Sequence, residues 1–392
     1  MHPWTLVDGK CKDTYLNRYA AHIVLHHFII LREVSVEPIS KLKMPFYNTQ
    51  LGFLYRQFLV CPPKAPSTTS LRGKAGLVTG ANTGLGYQAS AQMLALGLSH
   101  LILAVRNTSK GEAARKSLLA SLPASAKPPV VEVWELDLAS YASVTAFVER
   151  LQKSDILVDF ALLNAGVANF HYTVNESTSH ESTIQINWLS TALMTLQLLP
   201  VLDRQAAQHL DRSRPVISIV GSETAAWAKF KEAQVASNEK RSLLDVMDDQ
   251  KHFDMTDRYY TSKLLYQLFF LELWKRRSSA KRSKGAILNL VNPGFCYGSE
   301  LHRTAEGAFA KVLGGMKRVV GRSTSMGART LVHSSVLAGD ASNGRYLSDC
   351  KPAPFAGYGD SDAGRMTQGQ VWELTLSELR PVMNVDQVVS DL

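Results

Sequence analysis

The chain has 392 residues, 45% of them hydrophobic and 20% charged, with 25 Gly and 15 Pro, a composition that excludes a disordered, collagenous or coiled-coil chain. Its length exceeds the roughly 250–300 residues at which a single core stops growing, so one large domain with appendages is expected. Of the net charge of +9 much is N-terminal, residues 1–74 holding ten Lys/Arg against four Asp/Glu, and the remainder is too mildly basic to argue for a nucleic-acid partner.

In chain order, no apolar run reaches the 18 or so residues needed to span a bilayer, and His22 to Leu31 is too short and too far from the start for a secretory signal. Residues 1–43 fit nothing that follows. Met44 opens an amphipathic helical pattern, MPFYNTQLGFLYRQFL, so the preceding segment reads as an appendage or as a start codon placed too early. The basic segment and its short apolar stretch raise the thought of a peripheral membrane protein, but membrane association is not expected. Cys61 to Ser70 is a Pro/Ser/Thr linker, which gives an N-terminal extension and linker over 1–70, a main domain over 71–350, and a C-terminal irregular segment and helix over 351–392.

Short β-rich runs then alternate with helical patterns. Strands are expected near 75–79, 100–105, 130–136, 157–163, 215–221 and 286–292. Their continuous apolar character predicts strands buried on both faces, hence a doubly wound α/β fold with a parallel sheet. One more strand, GRYLS, and a helix around TQGQVWELTLSEL are expected after residue 343. The cluster KRRSSAKRSK, Lys275 to Lys284, follows a long amphipathic run and reads as the cationic end of a helix. Cys11, Cys61, Cys296 and Cys350 lie far apart with no C-x-x-C pair, so neither a disulfide framework nor a metal site is expected, and a reducing, cytoplasmic setting fits.

The first strand runs into TGANTGLG, Thr79 to Gly86, followed by a helical pattern. Strand, glycine loop and helix in that order let a pyrophosphate approach backbone N–H groups at a helix N-terminus, which marks Gly80, Thr83, Gly84, Leu85 and Gly86 as candidate cofactor contacts. The second strand ends in Arg106, whose guanidinium would pair with a 2′-phosphate and favours NADP(H). Asp137 suits either a contact to the adenine amino group or the N-cap of the next helix, and Asn164 and Gly166 either line the adenosine pocket or make the turn. Tyr259 and Lys263 are four apart in a helical pattern and so share a face. An ammonium beside a phenol stabilises the phenolate and lowers a pKa that is otherwise about 10, making proton transfer feasible. Tyr260 is three residues from Lys263 and is the alternative acid.

Taken together, TGANTGLG, Asp137, NAG at 164–166, the serine after the fifth strand, Y-x-x-x-K and the later Pro293–Gly294 resemble the short-chain dehydrogenase/reductase family over about residues 71–350. Within it the chain looks similar to the retinol-dehydrogenase-like branch and to fungal reductases of secondary metabolism. The resemblance implies a Rossmann fold, with Tyr259 as general acid/base and Lys263 also bonding the nicotinamide ribose. It implies that the Ser222 hydroxyl polarises a carbonyl oxygen, and that Asn187 holds a water linking the lysine to solvent or is satisfied by backbone. Pro293 and Gly294 would wrap the nicotinamide. Gly298, followed by Ser299, stands where the family commonly has Thr or Ser. The 36 residues between Ser222 and Tyr259 exceed those of the family's shortest members and are expected to be a lid or rim, or a solvated excursion.

The expected activity is therefore an NADP(H)-dependent interconversion of a carbonyl and an alcohol on a small, lipophilic or secondary-metabolite substrate, in a homodimer or homotetramer. A non-catalytic NADP-binding regulator of the same fold is the alternative, disfavoured because it has no need of Ser222, Tyr259 and Lys263 together.

Overall fold

A computed structural model describes residues 46–123, 127–279, 285–302 and 304–392. Cys11, the stretch 22–31, Met44 and the second half of the basic cluster lie outside them. The first helix of the described residues is α1 (Gln50–Leu59), capped by the Thr49 hydroxyl, which accepts from the Gly52 N–H. After the irregular linker come β1 (Ala75–Thr79), α2 (Gly84–Ala95), β2 (His100–Val105), α3 (Thr108–Ala120), β3 (Val130–Glu135), α4 (Tyr141–Gln152) and β4 (Phe160–Leu163). A π-helical turn at Gln185–Leu189 leads into α5 (Ser190–Gln208) and β5 (Val216–Val220). The excursion carries α6 (Lys231–Glu239) and precedes α7 (Met255–Ser279), β6 (Ile287–Asn292) and β7 (Cys296–Tyr297). The C-terminal part holds α8 (Gly307–Val320), β8 (Arg322–Ser323), α9 (Thr324–Val332), β9 (Arg345–Ser348), β10 (Lys351–Ala353) and α10 (Asp362–Leu379).

Eight strands form one sheet in the order β10-β9-β6-β5-β4-β1-β2-β3, parallel throughout except for the β9–β10 hairpin. Burial of β1, β4 and β6 along their whole lengths accounts for their unbroken apolar runs, while β3, at the sheet's edge, is exposed at both ends. Successive residues feed opposite layers: Leu77 and Leu163 join the core under α5, α7 and α10, whereas Val78 and Leu162 join the one under α2 and α9. In the first layer Phe269 stacks on the fully buried Trp372 with ring centroids 5.4 Å apart, which ties α10 to α7. The strand order reverses direction between β1 and β4, and the carboxyl ends of the strands at such a switch point are the usual ligand position in these sheets.

The excursion between β5 and α7 is packed down rather than solvated. Asp257 accepts from the backbone N–H groups of Lys229 (2.8 Å) and Phe230 (3.2 Å), and Phe230, Val246 and Met247 are buried. Fully buried Arg258 faces Glu232 at 3.5 Å. Nor is α1 a free appendage: it docks on the carboxyl-end face of the sheet. The Gln57 amide donates to the Phe295 carbonyl at 2.8 Å and accepts from its N–H at 3.3 Å. Arg56 is ion-paired with Glu223, and Arg322 pairs with Asp349 at 2.6 Å while donating to the Arg56 carbonyl at 2.7 Å.

Candidate active site

The glycine loop is shaped by close approach. Gly80 has φ +64, in the left-handed region that favours glycine, and a Cβ on Gly86 would lie 2.5 Å from the Gly80 carbonyl oxygen and 2.6 Å from the Asn164 amide nitrogen. Asn164 donates to the Thr79 carbonyl at 2.9 Å, and the Thr79 hydroxyl accepts from the N–H groups of Asn164 and Ala165, both at 2.9 Å. The Asn164 side chain thus pins the loop to the end of β4. Thr83 occupies the N-cap of α2, yet its side chain caps nothing and no acid stands in the first turn, so the first-turn N–H groups are left for an anion. The Leu85 side chain packs into the core beside Gly327, which leaves its backbone as the part able to meet a ligand.

Arg106 is exposed at the end of β2 and, among the described residues, has no hydrogen-bond or ion-pair partner. The neighbouring Asn107 caps α3 through the Lys110 N–H at 2.9 Å. Asp137 is not the N-cap of α4: Ser140 is, accepting from Ser143 N–H, while one Asp137 oxygen accepts from the Ala139 N–H at 3.0 Å. Gly166 sits on the catalytic side, where an added Cβ would come 3.1 Å from Asn187 Oδ1 and 3.6 Å from Lys263 Nζ. Pro293 is followed by Gly294, whose N–H donates to Asn292 Oδ1 at 3.0 Å. Gly298 and Ser299 bring this loop over Gly84, Ser299 Cα lying 3.3 Å from where a Gly84 Cβ would be. The cradle therefore suits a dinucleotide, with glycines where a backbone must approach closely and an uncapped helix end beneath them.

Around it the structure gathers the other candidates. The Ser222 hydroxyl stands beside the Tyr259 phenol, whose ionisation it favours, and contacts Thr224 Oγ1 at 2.8 Å. One helical turn along α7, the Lys263 ammonium donates to the Val220 carbonyl at 2.9 Å and lies 5.9 Å from the centre of the Tyr259 ring. Asn187, on the π-helical turn, accepts from the Val167 N–H at 2.9 Å and donates to the Val167 carbonyl at 2.8 Å and to Ser262 Oγ at 2.9 Å. Its amide is thus held by the protein. A cavity of about 10 Å³, close to the volume one water needs, is lined by Asn187, Lys263, Gln267 and Tyr346 among others.

The electrostatics depart from the expectation that the lysine lowers the tyrosine's pKa. Burial pushes the Tyr259 phenol up to about 12, against the opposing Ser222 hydrogen bond and with the neighbouring Tyr260 adding to the rise. Burial likewise brings Lys263 down to about 8. Withdrawing both groups from water penalises both charged forms, and the ammonium, turned toward the Val220 carbonyl, does not offset that for the phenol. Cys296 is buried with its thiol pushed up to about 12, in keeping with a packing residue. Among the described residues no cluster of His, Cys, Asp or Glu is placed to hold a metal ion, and no helix is long and apolar enough to cross a membrane.

Sequence reading missed the α1 contacts. Arg56 and Glu223 are 167 residues apart, and the only signal was a lone arginine within the apolar run FLYRQFL.

Comparison with known proteins agrees with this geometry. The short chain dehydrogenase family model matches residues 74–225. The chain is 34% identical over 345 residues to short chain dehydrogenase/reductase mfmJ of Annulohypoxylon moriforme, covering 88% of this chain and 95% of that one. It is 41% identical over 254 residues to short chain dehydrogenase sol3 of Alternaria solani, covering 65% and 82%. A solved structure of a Mycobacterium paratuberculosis protein superposes with a TM-score of 0.54 at 21% identity, covering 80% of this chain and 96% of that one, which speaks to the fold.

Proposed function

Because the chain belongs to the short-chain dehydrogenase/reductase family, an oxidoreductase family that binds nicotinamide cofactors, we propose that it uses NADP(H) to interconvert a carbonyl and an alcohol on a small lipophilic molecule. The observation that carries this reading is the meeting of Ser222, Tyr259 and Lys263 at the carboxyl ends of the strands, beside a glycine loop over an uncapped helix.

The bound nicotinamide would supply or accept the hydride. The protein's own groups do the rest. The Ser222 hydroxyl donates to the carbonyl oxygen as negative charge builds on it, and the Tyr259 phenol gives that oxygen a proton. A phenol raised to about 12 is protonated at neutral pH and thus ready to act as the acid of reduction. Lys263, held by the Val220 carbonyl, lies near enough to steady the phenolate that remains. Asn187, fixed on both sides of Val167, keeps the π-helical turn against α7 and borders the small cavity through which the lysine would be reprotonated. Gly80, Thr83, Gly84, Leu85 and Gly86 would take the pyrophosphate on backbone N–H groups, Arg106 the 2′-phosphate, Asp137 the adenine, and Pro293 and Gly294 the nicotinamide side. Asn164 and Gly166 shape the floor between the two halves.

The test is NADPH consumption with a panel of ketones and aldehydes. Tyr259→Phe is expected to slow turnover by about 10²–10⁴-fold while NADPH still binds. A variant as fast as the wild type would overturn the assignment. Tight NADPH binding without turnover of any carbonyl would favour the regulator.

A further inference from the structure

Helix α1 lies upstream of the segment that the family model matches, yet it packs on the loop after Pro293–Gly294 and on the turn after Ser222. A row of half-buried rings runs there. Phe295, directly after Pro293–Gly294, meets Phe53 of α1 with centroids 6.3 Å apart, and Phe53 meets Trp227 edge-on at 5.3 Å. Trp227 meets Tyr260 at 6.2 Å, and Tyr260 meets Tyr259 at 6.3 Å. The row thus joins the candidate nicotinamide loop to the candidate acid through a residue of α1. Trp227 is fixed by its indole N–H, which donates to the Asn48 carbonyl at 3.0 Å. Phe295 is fixed by both ends of the Gln57 amide.

Among the described residues, the one charged pair tying α1 to the turn after Ser222 is closed on itself. Arg56 and Glu223 are ion-paired with side chains 8% and 7% exposed, so neither is available to a charged ligand. What the row offers is partly open aromatic surface, which favours flat apolar rings through edge and face contacts.

We propose that α1 forms a wall of the substrate site and that Phe53 and Trp227 are specificity-determining residues, selecting planar aromatic carbonyl compounds over small aliphatic ones. This rests on the carbonyl reductase reading, deepening it to a substrate class.

The experiment measures kcat and KM with NADPH for acetonaphthone and for cyclohexanone, in the wild type, Phe53→Ala, Phe53→Leu and Phe53→Tyr. Acetonaphthone affinity in the presence of NADP+ is measured by titration calorimetry alongside. Phe53→Ala is expected to lower kcat/KM for acetonaphthone about tenfold or more, mainly through KM, with cyclohexanone changed less than about twofold. Phe53→Tyr should restore most of the loss, and Phe53→Leu, which keeps apolar bulk, only part. An equal fall for both ketones, or no fall for acetonaphthone, would overturn the proposal, and unchanged NADPH affinity shows that the variants are folded. If the wild type reduces neither ketone, the catalytic reading is decided separately on the wider panel of ketones and aldehydes. The wall is then judged on binding: Phe53-dependent affinity for acetonaphthone supports it and absence of binding refutes it.

Discussion

Removing the Arg56 guanidinium would strand a carboxylate that water scarcely reaches. Arg56 pairs with Glu223, stands 3.8 Å from Asp349, donates to the Tyr47 carbonyl at 2.8 Å and lies 3.8 Å over the Tyr47 ring. Asp349 keeps a second partner in Arg322, but Glu223 loses the only ion pair it has among the described residues. Breaking a buried pair from one side costs about 3–5 kcal/mol, whereas replacing both members by apolar residues is close to neutral. Arg56→Met and Glu223→Leu are each expected to lower unfolding stability by that amount in urea titrations. The loss is capped wherever α1 can undock more cheaply than the whole chain unfolds. In that event hydrogen exchange over residues 46–60 should rise while the sheet stays protected. The double variant Arg56→Met/Glu223→Leu should lie within about 2 kcal/mol of the wild type, a coupling of several kcal/mol between residues 167 apart in sequence. Single variants within about 0.5 kcal/mol of the wild type, with no faster exchange in α1, would refute the view that this pair latches the helix.

Three further outcomes are expected. His180 bridges Asp248 (2.7 Å) and Glu378 (3.0 Å), and although burial opposes its charge, those two carboxylates raise it from 6.5 to about 9. Its stabilisation should be complete below about pH 6.5 and lost as pH rises through about 9, a fall of about 2–3 kcal/mol that Phe at position 180 would abolish in melting scans across that window. Arg106→Ala should raise KM for NADPH about 10–100-fold, the worth of a charge-assisted contact, and leave KM for NADH almost unchanged; equal effects on both cofactors would remove the 2′-phosphate role. Since burial brings Lys263 down to about 8, its ammonium is present below that pH and lost above it, so kcat/KM for reduction should be level near pH 6–7 and decline above about 8; a profile flat to pH 9.5 would show that the charge is not needed.

Much of the fold was written locally. Strands such as Ala75–Thr79 and Ile287–Asn292 are continuous apolar runs because both faces are covered, and a period of that kind survives without knowledge of partners. The glycine loop and the Tyr259/Lys263 spacing were legible for the same reason, each resting on neighbours within eight residues. The π-helical turn carrying Asn187 was not, since it follows from packing against Val167 and Ser262 rather than from any preference of QINWL. The two-residue ladder of β7 and β8 joins Cys296 to Arg322 and has no pattern to read at that length. At 61–70 the Pro/Ser/Thr composition marked irregular backbone faithfully, but it says nothing of energetic independence: the residues before it return to bury Arg56 and Gln57 against the site.

The tyrosine's ionisation shows why such a gap falls at the site itself. Spacing on a helix tells which groups are neighbours, and here it placed Lys263 beside Tyr259 correctly. The sign of a pKa shift depends on a second quantity, the water removed by everything packed around the pair, and that is supplied by the end of β5 with the turn after it and by the π-helical turn of Asn187, neither of which is near in sequence. With a phenol at about 12 and an amine at about 8, the site as it stands holds its proton on the tyrosine and gives up the lysine's more readily than an exposed lysine would. Proton donation to a carbonyl oxygen needs no further tuning from that state, whereas abstraction from an alcohol requires the phenolate that burial resists. In the proposed reaction the protein's own electrostatics therefore favour reduction, and oxidation should gain on it as pH rises.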